Sequence, residues 1–275
     1  MPSVTKRINE IKQPRGGYLK PSAFTEIIKD DGKSLSEENV HSSIVGMAVD
    51  YLTRMMVEKA KNKDKHIEDI VRDSFVFSIM GYDTRLEFYS YRCLKKDIKN
   101  HVDIEFLLSQ IRDLDDNSII AACKTVTYDV WFRNTIAALG VKDAIDTNPD
   151  QATIENIRIM VNRGIEFFQE YGPVVCDGFT FEGGGYTDTV DTGDGDFLTE
   201  DTLWDFKVLK SKPTNKHTLQ LLMYWIMGQH TLREEFRRIS KLGIFNPRLN
   251  TVYLYDLSNI SLDVVKEVER EVICY

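Results

Sequence analysis

The stretch Leu203-Trp204-Asp205-Phe206-Lys207-Val208-Leu209 limits what this chain can fold into more than any other part of it. It is apolar, nearly alternating and bounded by polar residues on both sides, which predicts a strand. A two-residue repeat sets Asp205 and Lys207 on one face and Trp204, Phe206 and Val208 on the other. The apolar row has to enter a core, so a carboxylate and an ammonium are presented together at a fixed spot. Upstream, Asp196 opens the short run Phe197-Leu198-Thr199, a second predicted strand. A tight turn at Glu200-Asp201 makes the two strands antiparallel neighbours and brings Asp196 toward Asp205. Two carboxylates converging beside a lysine can hold a hard divalent cation next to a water or a phosphate.

A helix is predicted from about His217 to Gly228, with Leu219, Leu222, Met223 and Ile226 available to pack on the sheet. Gln220 and Tyr224 are four apart and share one of its faces. Taken in order, these residues carry a resemblance. Gly193-x-x-Asp196, eight intervening residues and then Asp205-x-Lys207 resemble the signature of the PD-(D/E)xK nuclease superfamily. Gln220-x-x-x-Tyr224 is similar to the additional QxxxY motif of its RecB-type branch, which includes nuclease domains of bacterial recombination helicases and of CRISPR adaptation exonucleases. The resemblance covers about residues 175–257.

The resemblance implies an α/β fold: a restriction-endonuclease-like core over residues 172–275, after a largely helical region, 1–171, that starts with an irregular arm. It implies a nuclease that hydrolyses phosphodiester bonds in DNA, single-stranded DNA included. Asp196 and Asp205 would hold Mg²⁺ or Mn²⁺, helped by the backbone carbonyl of Phe206. Lys207 would orient the attacking water or stabilise charge developing on the phosphate, Gln220 would position Lys207 or the substrate, and Tyr224 would touch the nucleic acid. In the resembled branch an upstream helix often carries G-x-x-x-H, whose histidine is a further metal ligand. Here Gly46 matches, but the histidine position is Asp50, which suits a hard cation.

Composition bears on this reading in two ways. The net charge of −8 is unusual for a protein that coats nucleic acid, because phosphate contacts supply most non-specific affinity. It leaves room for a protein partner on an acidic surface. A local basic strip of Lys207, Lys210, Lys212 and Lys216 lies beside the motif. The four cysteines (Cys93, Cys123, Cys176, Cys274) include no C-x-x-C pair, which fits free thiols in a reducing, cytoplasmic compartment and gives no support for a zinc or iron–sulfur site. No window approaches eighteen apolar residues, and the first ten residues lack a signal-peptide core, so no membrane association is expected.

Elsewhere the periodicity predicts a long amphipathic helix over roughly 38–62 and helices over 67–79, 98–111, 119–132 and 154–168. Asp150 or Thr153 can cap the last of these. Tyr128, Trp131 and Phe132, at helical spacing, are assigned to a core rather than to base stacking. A short helix is expected near Phe24 to Ile28. Strands are expected over 178–182, 186–190 and 251–257, and helices over 232–242 and 262–272.

Two other readings fit the same residues. One is a non-catalytic nucleic-acid-binding or assembly module of a phage or defence complex; the other is an RNA or nucleotide phosphodiesterase. Beneath both lies the plainest reading, an edge strand with a surface salt bridge beside an amphipathic helix.

Overall fold

The computed structural model describes residues 2–91 and 102–275. The chain divides into a sheet unit, Met1–Asp31 with Phe167–Tyr275, and a helical unit, Gly32–Glu166. The first 31 residues therefore belong with the sheet rather than with the helices that follow them.

The sheet unit begins with helix α1 (Val4–Glu10), capped by the Ser3 side chain. Strand β1 (Thr25–Ile28) follows, where a helix is expected from the sequence. Pairing decides this: β1 lies antiparallel against β6 (Thr251–Asp256), with Thr25 opposite Leu254. A four-residue segment cannot close enough helical bonds to compete with a ready sheet edge.

The helical unit contains α2 (Ser42–Lys61), α3 (Ile67–Ser74), α4 (Val76–Tyr91), α5 (Ile104–Gln110), α6 (Asp116–Thr125), α7 (Asp129–Arg133) and α8 (Thr135–Ala138). Most of α9 (Gln151–Tyr171) also belongs to it. The expectations for 67–79 and 119–132 fall on helices that Phe75 and a 3₁₀ turn at 126–128 interrupt. The start of the expected 98–111 helix lies outside the described residues. Asp150 caps α9 by accepting the Thr153 N–H at 2.8 Å. Tyr128 and Trp131 are buried as expected, whereas Phe132 is 41% exposed. Buried Asp129 accepts from both Tyr51 and Ser78 hydroxyls, and Arg85 lies against the rings of Tyr128 and Trp131. These contacts satisfy buried polar groups within a core.

In the sheet unit, β2 (Cys176–Phe179), β3 (Gly195–Leu198), β4 (Thr202–Phe206) and β5 (Lys241–Asn246) join β1 and β6 in the order β1-β6-β5-β4-β3-β2. Only β4 and β5 are parallel. Residues 186–190 form a turn instead of a strand: the Thr187 and Val190 backbones bond each other at 2.9 and 3.2 Å. The helix expected over 232–242 is limited to a 3₁₀ turn at Glu234–Arg238, and its end begins β5. A short apolar run is ambiguous by periodicity, and the vacant side of β4 resolves it.

Both sheet faces are covered. Phe167, opening the last turn of α9, stacks on Phe245 with centroids 4.2 Å apart and meets Trp204 edge-on at 4.9 Å. On the other face, α10 (Asn215–His230) packs Leu219, Leu222, Met223 and Ile226 together with Leu198, Leu203 and Ile244. Leu221 and Met227 are buried too, so α10 is enclosed nearly all round, as an internal helix is. Each such side chain contributes about 1.5–3 kcal/mol on burial. The expected closing helix is α11 (Leu262–Glu267), continued by a π-helical turn to Ile273.

Candidate active site

The site is built where β3, β4 and α10 meet. A turn joins the strands, with the Thr199 N–H bonded to the Thr202 carbonyl at 3.0 Å. The register sets Phe197 opposite Trp204 and Leu198 opposite Leu203; beyond that pair the Phe206 N–H bonds the Asp196 side chain rather than a β3 carbonyl. Phe197 and Trp204 turn toward Phe167, while Leu198 and Leu203 turn toward α10. Strand alternation then puts Asp196 and Asp205 on the α10 side.

β4 lies between β5 and β3 rather than at an edge, and Asp205 is 2% exposed. An edge strand with a surface salt bridge is therefore not what this segment forms. Lys207 lies one residue beyond the strand. Its backbone N–H bonds the Phe245 carbonyl at 2.9 Å, and its Nζ stands 2.9 Å from Asp205 Oδ1. Asp196 Oδ2 accepts the Phe206 N–H at 2.6 Å. On α10, Gln220 Nε2 donates to Tyr224 Oη at 2.9 Å.

The electrostatics tie these groups together. Burial raises the Asp205 pKa far above the usual carboxylate range; the Lys207 charge opposes this and the Asp196 carboxylate adds to it. Burial works against the Lys207 ammonium, yet Asp205 and Asp196 outweigh it and hold the Lys207 pKa up. Burial, with the charge of Asp205, raises the Tyr224 phenol, so it stays protonated. Asp196, Asp205, Lys207, Gln220 and Tyr224 thus lie together. Asp50 lies in the helical unit, where it pairs with Arg54 one turn along α2 at 2.8 Å.

No family model, curated protein or solved structure matches this chain.

Does the site suit a cation? Among the described residues no three His, Cys, Asp or Glu side chains gather as a cage. Asp205 Oδ2, however, is buried and receives no donor from the rest of the protein, while the Asp196 carboxyl lies beside it. Mg²⁺ usually takes one or two carboxylates and keeps several waters. The Asp196–Asp205 pair supplies two carboxyl groups side by side.

Three further residues shape the site. His217 Nδ1 accepts the Thr214 N–H at 2.9 Å, and burial, with the nearby Lys207 charge, lowers its pKa to about 4. Its spacing from Thr214 matches a capping box, with histidine where Glu or Gln is usual. Asn246, fully buried, bonds both the N–H and the carbonyl of Leu209 and so fixes the chain leaving Lys207. Nothing in the sequence marks it, because its partners are backbone atoms 37 residues away. Gly195 precedes Asp196 where an added Cβ would stand 2.0 Å from Phe179 Cζ.

Proposed function

We propose that this protein is a divalent-metal-dependent nuclease that hydrolyses phosphodiester bonds in DNA, with a sheet related to the restriction-endonuclease-like core. The observation that carries this reading is the buried, unpartnered Asp205 Oδ2 beside the Asp196 carboxylate, with Lys207 Nζ 2.9 Å from the other Asp205 oxygen. A structural ion pair needs neither the second carboxylate nor the orphaned oxygen.

Asp196 and Asp205 would hold Mg²⁺ or Mn²⁺. Within one extended residue the N–H and C=O project to the same side, so the Phe206 carbonyl follows its N–H toward Asp196 and is the third candidate ligand. When bound, the cation supplies charge neutralisation at a phosphoryl oxygen and acidifies water. Lys207 keeps its proton and donates toward a non-bridging phosphate oxygen or the attacking water, so its charge offsets the negative charge that builds there. Tyr224, a neutral phenol held by Gln220, offers its Oη–H to the substrate backbone. Asp50, engaged with Arg54, has no part in this proposal.

The test is cleavage of labelled linear single- and double-stranded DNA, RNA and cyclic nucleotides by the full chain with Mg²⁺ or Mn²⁺. Metal-dependent DNA cleavage is expected. Cleavage confined to RNA or cyclic nucleotides would reassign the substrate, and intact substrates throughout would leave a binding or assembly module.

A further inference from the structure

Besides the lysine strip at 207–216, the acidic chain carries a basic segment at its start. Residues 1–25 hold Lys6, Arg7, Lys12, Arg15 and Lys20 against the single carboxylate Glu10, within a chain of net charge −8. This segment is stitched to the candidate active site at two places. The Val4 N–H bonds the Thr192 carbonyl at 2.9 Å, and the Asp191 N–H bonds the Pro2 carbonyl at 3.0 Å. These contacts hold α1 against the loop that leads into Asp196. An added Cβ on Gly193 would meet Val4 Cγ2 at 2.7 Å and Tyr224 Cε1 at 3.6 Å, so α1 and the site tyrosine flank the same glycine.

The second attachment is to the start of α10. Gln13 Nε2 donates to the Asn215 carbonyl at 3.2 Å, Lys216 Nζ donates to Asn9 Oδ1 at 2.7 Å, and the Thr218 hydroxyl donates to the Leu19 carbonyl at 2.5 Å. Gly17, at φ +91°, lies so close to Asn215 that a Cβ would stand 2.6 Å from its Cβ. Buried Val4, Ile8, Leu19 and Phe24 anchor the inner side. The outer side is consequently fixed, and Lys12, Arg15 and Lys20 are exposed on it, with Arg15 in the turn closed by the Gly17 N–H on the Pro14 carbonyl. Arg7 is spent on the Glu271 and Val272 carbonyls.

We propose that residues 2–24 form a basic rim that binds the phosphate backbone of nucleic acid and carries it to the Asp196–Asp205 site, an inference that rests on the nuclease reading of that site. An anionic polymer approaching two carboxylates on an acidic protein is repelled unless cations lie beside its path. Lys12, Arg15 and Lys20 supply such cations on a segment that touches both the Asp196 loop and α10. A phosphate chain rather than an acidic peptide is the occupant, because the rim borders groups suited to phosphodiester chemistry.

Fluorescence anisotropy on the full chain tests this, using labelled 20-nucleotide single-stranded DNA and the matching duplex in EDTA, where cleavage is suppressed. The combined variant Lys12→Gln, Arg15→Gln, Lys20→Gln should bind at least tenfold more weakly. The slope of log affinity against log salt should become shallower by roughly 2 for single strands, at about 0.7 per lost phosphate contact. A Lys61→Gln, Lys63→Gln control in the helical unit should bind like the unaltered chain, and circular dichroism confirms that each variant is folded. Unchanged affinity and slope in the rim variant, no DNA binding by the unaltered chain, or equal competition by polyglutamate would each overturn the rim. Absence of cleavage with every metal, together with rim-dependent binding, would instead remove the nuclease reading and leave the rim standing.

Discussion

Asp196 Oδ2 and the backbone N–H of Phe206 are joined by a 2.6 Å hydrogen bond. The carboxylate of one strand is thereby fixed to the residue between Asp205 and Lys207 on the next. The two acids cannot drift apart without breaking a charge-assisted bond, which is roughly twice as strong as a neutral one. The acid pair is thus held in place by the sheet itself.

Lys207 and Asp205 should respond differently to truncation. Lys207→Ala removes a donor from beside the candidate metal, so turnover is expected to fall about 100- to 1,000-fold while Mn²⁺ binding by calorimetry persists. Asp205→Ala should lose both. Equal loss of metal binding in the two variants would identify the pair as structural.

The metal-free protein should lose stability as pH rises. Burial lifts Asp205 from 3.8 to about 7, so across that window the folded chain holds a proton that the unfolded chain has released. The stabilisation is complete below about pH 4 and is lost as pH climbs through about 7. Urea midpoints in EDTA should therefore drop between pH 5 and pH 8 more in the unaltered chain than in Asp205→Asn, and Mg²⁺ should restore the midpoint at pH 8. Parallel curves for the two proteins would contradict the buried, proton-holding Asp205.

Tyr224→Phe deletes the acceptor of the Gln220 amide. A stability loss of about 1 kcal/mol is expected from the lost hydrogen bond, measured by thermal unfolding. DNA turnover should fall as well. A variant as active as the parent would take Tyr224 out of substrate contact.

Gly243→Ala tests how rigidly β4 is held. Gly243 is paired with Trp204, and an added Cβ would stand 2.3 Å from the indole Cε3. Overpacking of this kind costs typically 1–3 kcal/mol, and displacing Trp204 should shift neighbouring Asp205. Unfolding midpoints and Mn²⁺ affinity should both decline; unchanged values would mean that the indole has room to move.

The sequence alone determined the local logic of this site. Leu203-Trp204-Asp205-Phe206 declares its own strand and its two faces, because side-chain alternation follows from backbone geometry. Asp196 beside Asp205 follows from a short turn between adjacent strands, and Gln220 with Tyr224 from one helical turn. Tertiary structure alone decided the rest. Lys241–Asn246 became a strand because β4 had an unfilled side, and Thr25–Ile28 because β6 had one. Asn246 reached the chain beyond Lys207, and residues 2–24 reached the Asp196 loop and α10, across separations of 37 and roughly 200 residues. Backbone partners distant in sequence leave no periodic trace in the chain. Which carboxylate oxygen is left unpartnered is likewise settled only when strands and helix close around it.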